Sequence, residues 1–178
     1  MQPLPLVLIS ACPLSRLRQS TASSQLTEEL GISSKSFAVE AELESWLDFK
    51  DSNVLLQLHG DAAATGGTSS FSCLEILALR QQPVAILVPV CKGGVIPGTA
   101  PAYAALCHQL NVQLIGLIQL GGFWRPDERR RDGLPWCGWI PEISPTSNID
   151  DQEALSDLAA VVLQRLTLIK TSLARAAL

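Results

Sequence analysis

The sequence predicts an α/β fold, a three-layer sandwich in which helices cover both faces of a mostly parallel sheet of about five strands. Short apolar runs, typical of strands buried on both faces of a parallel sheet, alternate with stretches of helical character. Hydrophobic residues make up 47% of the chain and charged residues 17%, which fits a globular rather than a disordered protein. With 178 residues, we expect one domain over residues 1–178.

The predicted elements follow one another in βαβ order. The strands are expected at residues 6–9, 54–58, 84–90 and 112–120, with a weaker fifth at 136–140. The helices are expected at residues 25–30, 41–49, 72–80 and 101–110, and a last helix begins at about Asp151. Such alternation is typical of right-handed crossovers between parallel strands, with helices on both sides of the sheet.

Capping signals support two of the helix starts. Ser72 followed by Glu75 has the pattern of a capping box, and Asp150 followed by Glu153 offers a similar one. Apolar residues of the last helix recur at three- and four-residue spacing, from Leu155 to Leu173. We interpret this stripe as core packed on the sheet.

Charge and cysteine usage exclude several partners. The net charge is −4, so the chain as a whole offers no electrostatic footprint for nucleic acid or an anionic membrane. The basic run at residues 129–131 is flanked by acidic residues, which predicts a solvated loop. Five cysteines without a C-x-x-C pair favour a reducing compartment. The first residues lack a basic leader and a long apolar run, so we expect a cytoplasmic protein.

The loop after the first predicted strand, residues 10–21, stands where a phosphate-binding Walker A motif would be. It contains no glycine and no lysine, the residues that such a motif needs. Only Arg16, Arg18, Ser20 and Thr21 could hold an anion at the start of the following helix. A capped turn without phosphate is the alternative, and the residues favour it.

Two further loops follow predicted strands and carry polar residues and glycines. His59-Gly60-Asp61 opens a small, Gly-rich loop, and these side chains could serve as base and orienter or as metal ligands. No third ligand stands nearby, which favours a structural His59. Cys91-Lys92-Gly93-Gly94 is the best anion-site candidate, with a glycine turn and a solvent-exposed lysine as its alternative.

Three of the four tryptophans fall between residues 121 and 139, around the charged run. Aromatic side chains there could stack on a planar ligand or contact a partner. Packing of a lid over the sheet edge is the commoner outcome, and we favour it.

From Val54 onward the sequence resembles the dethiobiotin synthetase branch of the P-loop NTPase family, a P-loop/Rossmann-like fold. The likeness is carried by residues 82–88, a Gly-containing loop and helix, residues 112–118, and the Pro-bounded segment 135–143. It implies ATP- and Mg²⁺-dependent closure of a ureido ring in biotin biosynthesis. The resemblance assigns phosphate to Arg18, Ser20 and Thr21, the metal to Asp61, and a carboxylate or phosphate to a catalytic Lys92.

The chain departs from that family at three loops: the Walker A position, residues 57–61, and Leu120, where the family has an adenine-reading asparagine. Within residues 57–61, only Gly60 and Asp61 keep the residue types of that family. Our main hypothesis is therefore a diverged domain without standard ATPase chemistry that binds a small anionic ligand or a protein partner, a homodimer included. Gly60, Gly93 and Gly94 join the predicted ligand-binding residues.

A second resemblance concerns the other end of the chain. Residues 7–13 followed by Ser15 and Ser20 look like the phosphate loop of flavodoxin-fold, NADPH-dependent FMN reductases. This likeness implies that hydroxyl groups bind the FMN phosphate without a lysine. The loop at residues 59–68 and Gly93-Gly94 would then face the flavin ring.

Overall fold

The computed structural model describes residues 5–39, 53–65, 70–142 and 149–176. Its elements are β1 (Leu6–Ser10), α1 (Arg16–Leu30), β2 (Ser33–Ala38), β3 (Val54–His59), α2 (Cys73–Leu79), β4 (Pro83–Pro89), a 3-10 turn (Lys92–Gly94), α3 (Thr99–Gln109), β5 (Gln113–Leu120), α4 (Pro126–Arg131), β6 (Trp136–Ile140) and α5 (Ile149–Ala176). The predicted α/β fold with a parallel sheet is confirmed.

All six strands form one sheet in the order β2-β3-β1-β4-β5-β6, and every neighbouring pair is parallel. β1 lies between β3 and β4. From β1 the chain crosses towards β2 at one edge, whereas from β4 it crosses towards β5 on the other side. The two connections diverge between β1 and β4, which makes that position the switch point of the sheet.

Two buried apolar clusters show which helices cover which face. On one face, Leu74 and Leu77 of α2 and Cys107 of α3 pack against the strands. On the opposite face, Leu26 of α1 and Val162 of α5 pack against alternate strand residues. The predicted three-layer arrangement is therefore present.

The described part of the chain forms six strands, one more than expected. The additional strand is β2, which the sequence did not predict because it carries no apolar run. Its first four residues are Ser-Ser-Lys-Ser, and all four are exposed. Among the described residues β2 is an edge strand that pairs with β3 alone, in the register Ser33 to Val54 through Ala38 to His59. An edge position tolerates polar side chains that a central strand would not.

The residues at the starts of α1, α2 and α4 explain how these helices compare with the predicted ones. α1 begins at Arg16, well before residue 25, because the Ser15 side chain accepts from the Arg18 N–H as N-cap. The capping box at Ser72 and Glu75 is confirmed. α4 lies where a loop was expected, and Pro126 stands in its first turn. The helix expected at residues 41–49 lies outside the described residues.

A bulge in β5 is held by an arginine from α5. The Arg165 guanidinium donates from NH1 to the carbonyls of Ile115 (2.9 Å) and Pro135 (3.0 Å), and from NH2 to that of Trp136 (2.7 Å). Gly116 beside it has φ +150°, and a Cβ there would lie 2.7 Å from Cys137 Sγ. A glycine is therefore required where the guanidinium approaches the strand. We call this group the Arg165 clamp.

Two further features concern the chain as a whole. All five cysteines are free thiols. Among the described helices, none is both long and apolar enough to cross a bilayer.

Candidate functional site

An open cleft lies between the first turns of α1 and the carboxyl ends of β2 and β3. Its volume is about 490 Å³, within the range of sites for small molecules. The residues that line it are Arg16, Leu17, Ser20, Ser36, Phe37, Ala38 and His59. We call it the His59 cleft. In open α/β sheets, ligands bind at this end of the strands.

His59 is the last residue of β3, and its ring is held from the side of α1. Its Nδ1 lies 2.8 Å from Gln19 Oε1. Gln19 is buried, and its Nε2 donates to the Leu58 carbonyl at 2.7 Å. Burial, and then the positive charge of Arg16, lower the pKa of His59 below its usual 6.5. The imidazole is therefore uncharged at neutral pH.

The arginines on the first turn of α1 differ in their partners. Arg18 NH2 makes an ion pair with Glu142 Oε1 at 2.8 Å. Arg16 is exposed, and no carboxylate in the described part of the chain pairs with it. Its guanidinium stands at the positive end of α1, at the mouth of the cleft. The cleft therefore offers an unneutralised cation to a ligand.

A buried polar layer continues from the cleft between α1 and the sheet. Ser36 Oγ, at the cleft wall, donates to Gln57 Oε1 at 3.3 Å. Gln57 and Ser23 are each 1% exposed, yet Gln57 Nε2 and Ser23 Oγ have no hydrogen-bond partner among the described residues. Unpaired polar atoms at such depth are rare and need an explanation.

Of the four residues that could hold an anion after β1, the structure brings two, Arg16 and Ser20, to the His59 cleft. Ser20 lines it, and its hydroxyl donates to the Leu17 carbonyl at 3.0 Å. Thr21 follows in the second turn of α1 and is not among the lining residues. Arg18 is engaged with Glu142 on the side of β6. The side chains of Arg18, Ser20 and Thr21 therefore do not converge on one point.

Asp61, predicted as a metal ligand, lies in the loop after β3 and already has two donors. Its Oδ1 accepts from the Ala63 N–H at 3.0 Å and from the Tyr103 hydroxyl of α3. Burial and this carboxylate raise the pKa of Tyr103. Gly60, before it, has φ +113°. Within the ranges that the structure describes, no three His, Cys, Asp or Glu side chains group as metal ligands.

Lys92, Gly93 and Gly94 form the exposed 3-10 turn after β4, beside the switch point and apart from the His59 cleft. Gly93 and Gly94 have φ values of 83° and 81°, with no atom within 4 Å of an added Cβ. Across the switch point, Cys12 Sγ lies 2.9 Å from Thr99 Oγ1 at the start of α3. The backbone there is open to a ligand.

The tryptophan segment at residues 121–139 is packed, which is the interpretation that the sequence favoured. Arg129 differs from the expectation of a solvated basic run. Trp124 and Trp136 meet edge to face at 6.2 Å, and Trp136 Nε1 donates to Asp132. The prediction of a solvated basic loop is wrong for Arg129, which is 9% exposed and pairs with Asp132 at 3.1 Å. It also lies 5.2 Å from the centre of the Trp136 ring, so this arginine belongs to the packing of α4.

The sequence indicated Arg16 as a possible anion ligand but not its position beside His59, and it gave no indication of Ser36 or Gln19. One signal was present: Gln19, Ser23 and Thr27 recur at four-residue spacing on α1, and all three are buried. Such a polar stripe facing a sheet marks a buried polar layer. Without knowledge that β2 lies at the sheet edge, nothing connected this stripe to His59.

No family model matches the sequence, and no curated protein matches it. Among solved structures, oxidised flavodoxin 2 from Bacillus cereus matches with a TM-score of 0.40 and 9% sequence identity, covering 90% of this chain and 99% of that chain. A similarity this low does not transfer a ligand or an activity.

The expected membership in the dethiobiotin synthetase branch is wrong. No family model and no curated protein supports that branch, and the solved structure described above is a flavodoxin. The physical reason lies in the signal used, because apolar strands followed by Gly-containing loops occur in many parallel α/β sheets. The implied role in biotin biosynthesis is not supported.

Proposed function

We propose that the chain binds a small organic anion in the His59 cleft. The observation that carries this proposal is the pairing of two groups there: Arg16 has no carboxylate partner among the described residues, and it faces a half-buried, uncharged His59. A phosphate or carboxylate would neutralise the guanidinium and gain the positive end of α1.

The remaining walls support a ligand that also has an apolar part. Leu17 is 77% exposed at the cleft, and Phe37 and Ala38 line the opposite side. The Ser20 and Ser36 hydroxyls add hydrogen-bonding groups beside them. Sites of this kind combine apolar walls with few polar groups that orient the ligand.

Calorimetric titration of the full chain with inorganic phosphate, phenyl phosphate and benzoate tests this proposal. We expect phenyl phosphate to bind more tightly than inorganic phosphate because its ring covers Leu17 and Phe37. Arg16→Gln should weaken binding by about tenfold or more, the contribution of a charge-assisted hydrogen bond. Arg131→Gln, at an exposed position of α4, is the matched control and should bind as the parent protein does. Equal affinities in both variants, or no heat with any probe, would refute the proposal.

FMN at the switch point is a second candidate, and it corresponds to the flavin-binding expectation. The observation that favours it is the open backbone at Gly93 and Gly94, opposite Cys12 and Thr99. Addition of the protein to FMN should then shift the visible absorption of the flavin. The Gly93→Val variant should leave the absorption unshifted. A flavin spectrum unchanged at saturating protein would remove this candidate.

Binding of a protein partner or formation of a homodimer stays a prediction. Phe123, after β5, is 86% exposed and offers an apolar contact point. Sedimentation of the parent protein and of Phe123→Ser, at several concentrations, tests self-association directly.

A further inference from the structure

Gln19 determines which nitrogen of His59 carries the proton. The Gln19 side chain is buried, and its Nε2 donates to the Leu58 carbonyl at 2.7 Å. A reversed amide would place two oxygens, each without a hydrogen, at that distance. Gln19 Oε1 therefore points at His59, and it can only accept a hydrogen bond.

The ring of His59 must supply that hydrogen. His59 Nδ1 lies 2.8 Å from Gln19 Oε1, so Nδ1 carries the proton. Because the lowered pKa keeps the imidazole uncharged at neutral pH, Nε2 then has a lone pair and no proton. Within the described residues, no donor satisfies Nε2, and the ring lines the cleft.

The cleft thus presents a cation and a hydrogen-bond acceptor side by side. Arg16 is close enough to His59 for its charge to lower the imidazole pKa. A plain carboxylate satisfies Arg16 but brings only oxygen lone pairs towards His59 Nε2, which repel it. An anion with a hydroxyl group on the neighbouring carbon satisfies both groups.

We infer that the His59 cleft selects 2-hydroxy carboxylates and similarly hydroxylated anions over their deoxy analogues, and that Gln19 is the positioning residue for this selectivity. The inference rests on the proposed anion binding and adds the chemical class of the ligand. The carboxylate contacts Arg16, and the hydroxyl donates to His59 Nε2. Sites that hydrogen-bond a ligand hydroxyl discriminate against the analogue that lacks it, because a polar group is left unpaired.

The first experiment is a nitrogen-15 NMR measurement of the imidazole rings in the parent protein without ligand. The chain has two histidines, so His59→Gln assigns the signals. We expect His59 Nδ1 to show the shift of a protonated nitrogen and Nε2 that of an unprotonated one. The opposite pattern would overturn the inference, whether or not anions bind.

The second experiment compares mandelate with phenylacetate, which share the ring and the carboxylate and differ in one hydroxyl. Mandelate should bind about fivefold more tightly, the value of one hydrogen bond. The preference should fall in Gln19→Met, where both tautomers become populated, and the nitrogen-15 signals of His59 in that variant should show the same mixture of protonated and unprotonated Nδ1. Equal binding of mandelate and phenylacetate to the parent protein would overturn the selectivity without contradicting the proposed anion site. Failure of both ligands and of phenyl phosphate would overturn both.

Discussion

The two ends of the molecule use arginine in opposite ways. At the Arg165 clamp, near the amino ends of β5 and β6, one guanidinium donates to three backbone carbonyls of those strands and the turn before β6. At the His59 cleft, near the carboxyl ends of β2 and β3, the Arg16 guanidinium has no carboxylate partner in the described chain. Polar groups whose partners are built in stabilise the fold, whereas those left open are available to a ligand.

The same contrast extends to the neighbouring buried groups. Around the clamp, Gly116 admits the guanidinium next to the strand, and Cys137 Sγ donates to the Ile115 carbonyl at 3.7 Å. Near the cleft, Ser23 Oγ and Gln57 Nε2 are buried without a described partner. Substitutions at the clamp should therefore change stability and spare binding, and those at the cleft should do the reverse.

The largest effect is expected for Gly116→Ala. The added Cβ would overlap the Pro135 carbonyl oxygen, and φ +150° is strained for alanine. We expect a loss of about 4 kcal/mol in the free energy of unfolding, measured by urea denaturation. Gly98→Ala, where φ is −61° and no atom lies within 4 Å, is the control and should stay within about 0.5 kcal/mol. A tolerated Gly116→Ala would contradict the clamp geometry.

Arg165→Met should follow, with a loss of about 3 kcal/mol, because it removes the charge-assisted hydrogen bonds of the guanidinium to the carbonyls of Ile115, Pro135 and Trp136. Urea denaturation measures it against Arg175→Met, an exposed arginine of the same helix. Phenyl phosphate affinity of the folded fraction should not change. A variant as stable as Arg175→Met would show that water replaces the guanidinium without cost.

A smaller effect is expected in the titration of His59 and in the pH dependence of stability. The folded-state pKa of His59 lies below its unfolded value, so its contribution to stability is complete above about pH 6.5 and is lost as pH falls through the lowered pKa. Arg16→Gln removes one cause of the shift. In an NMR titration the His59 midpoint should therefore rise in this variant and stay in place in Arg131→Gln. An unchanged midpoint in Arg16→Gln would show that the Arg16 charge does not act on His59, and it would contradict the place of Arg16 in the cleft.

The smallest effect is expected at Ser23. Its buried hydroxyl has no partner in the described chain, so Ser23→Ala should change the free energy of unfolding by less than about 0.5 kcal/mol. Ser72→Ala is the comparison, since that buried hydroxyl caps α2 and its loss should cost about 1 kcal/mol. A cost at Ser23 as large as at Ser72 would indicate a bridging water between Ser23 and Gln57.

The strands were predictable where they are buried. β3, β4, β5 and β6 match expectation to within one residue at each end, because aliphatic runs report burial on both faces. β2 was not predictable, since its serines and lysine lie at an exposed edge and its pairing with β3 is set by tertiary structure. The start of α1 required recognition that Ser15, rather than a later residue, is the cap.

The site was predictable only in part. His59 stood out as a polar residue at a strand end, and its hydrogen bond with Gln19 Oε1 agrees with the structural role that the sequence favoured for it. Its partner Gln19 lies 40 residues away, and Arg16 reaches the cleft because α1 packs beside β3. Spacing along the chain cannot show such contacts between elements, whereas the open backbone at Gly93 and Gly94 was visible as a local motif.

The most direct test of the central claim is a titration of the nitrogen-15-labelled full chain with phenyl phosphate, followed by two-dimensional NMR. We predict that backbone shifts change around Arg16, Phe37 and His59, saturate with one dissociation constant, and vanish in Arg16→Gln. Changes confined to residues 91–98 at the switch point, or no saturable change in the parent protein, would contradict the assignment of the His59 cleft as the anion site.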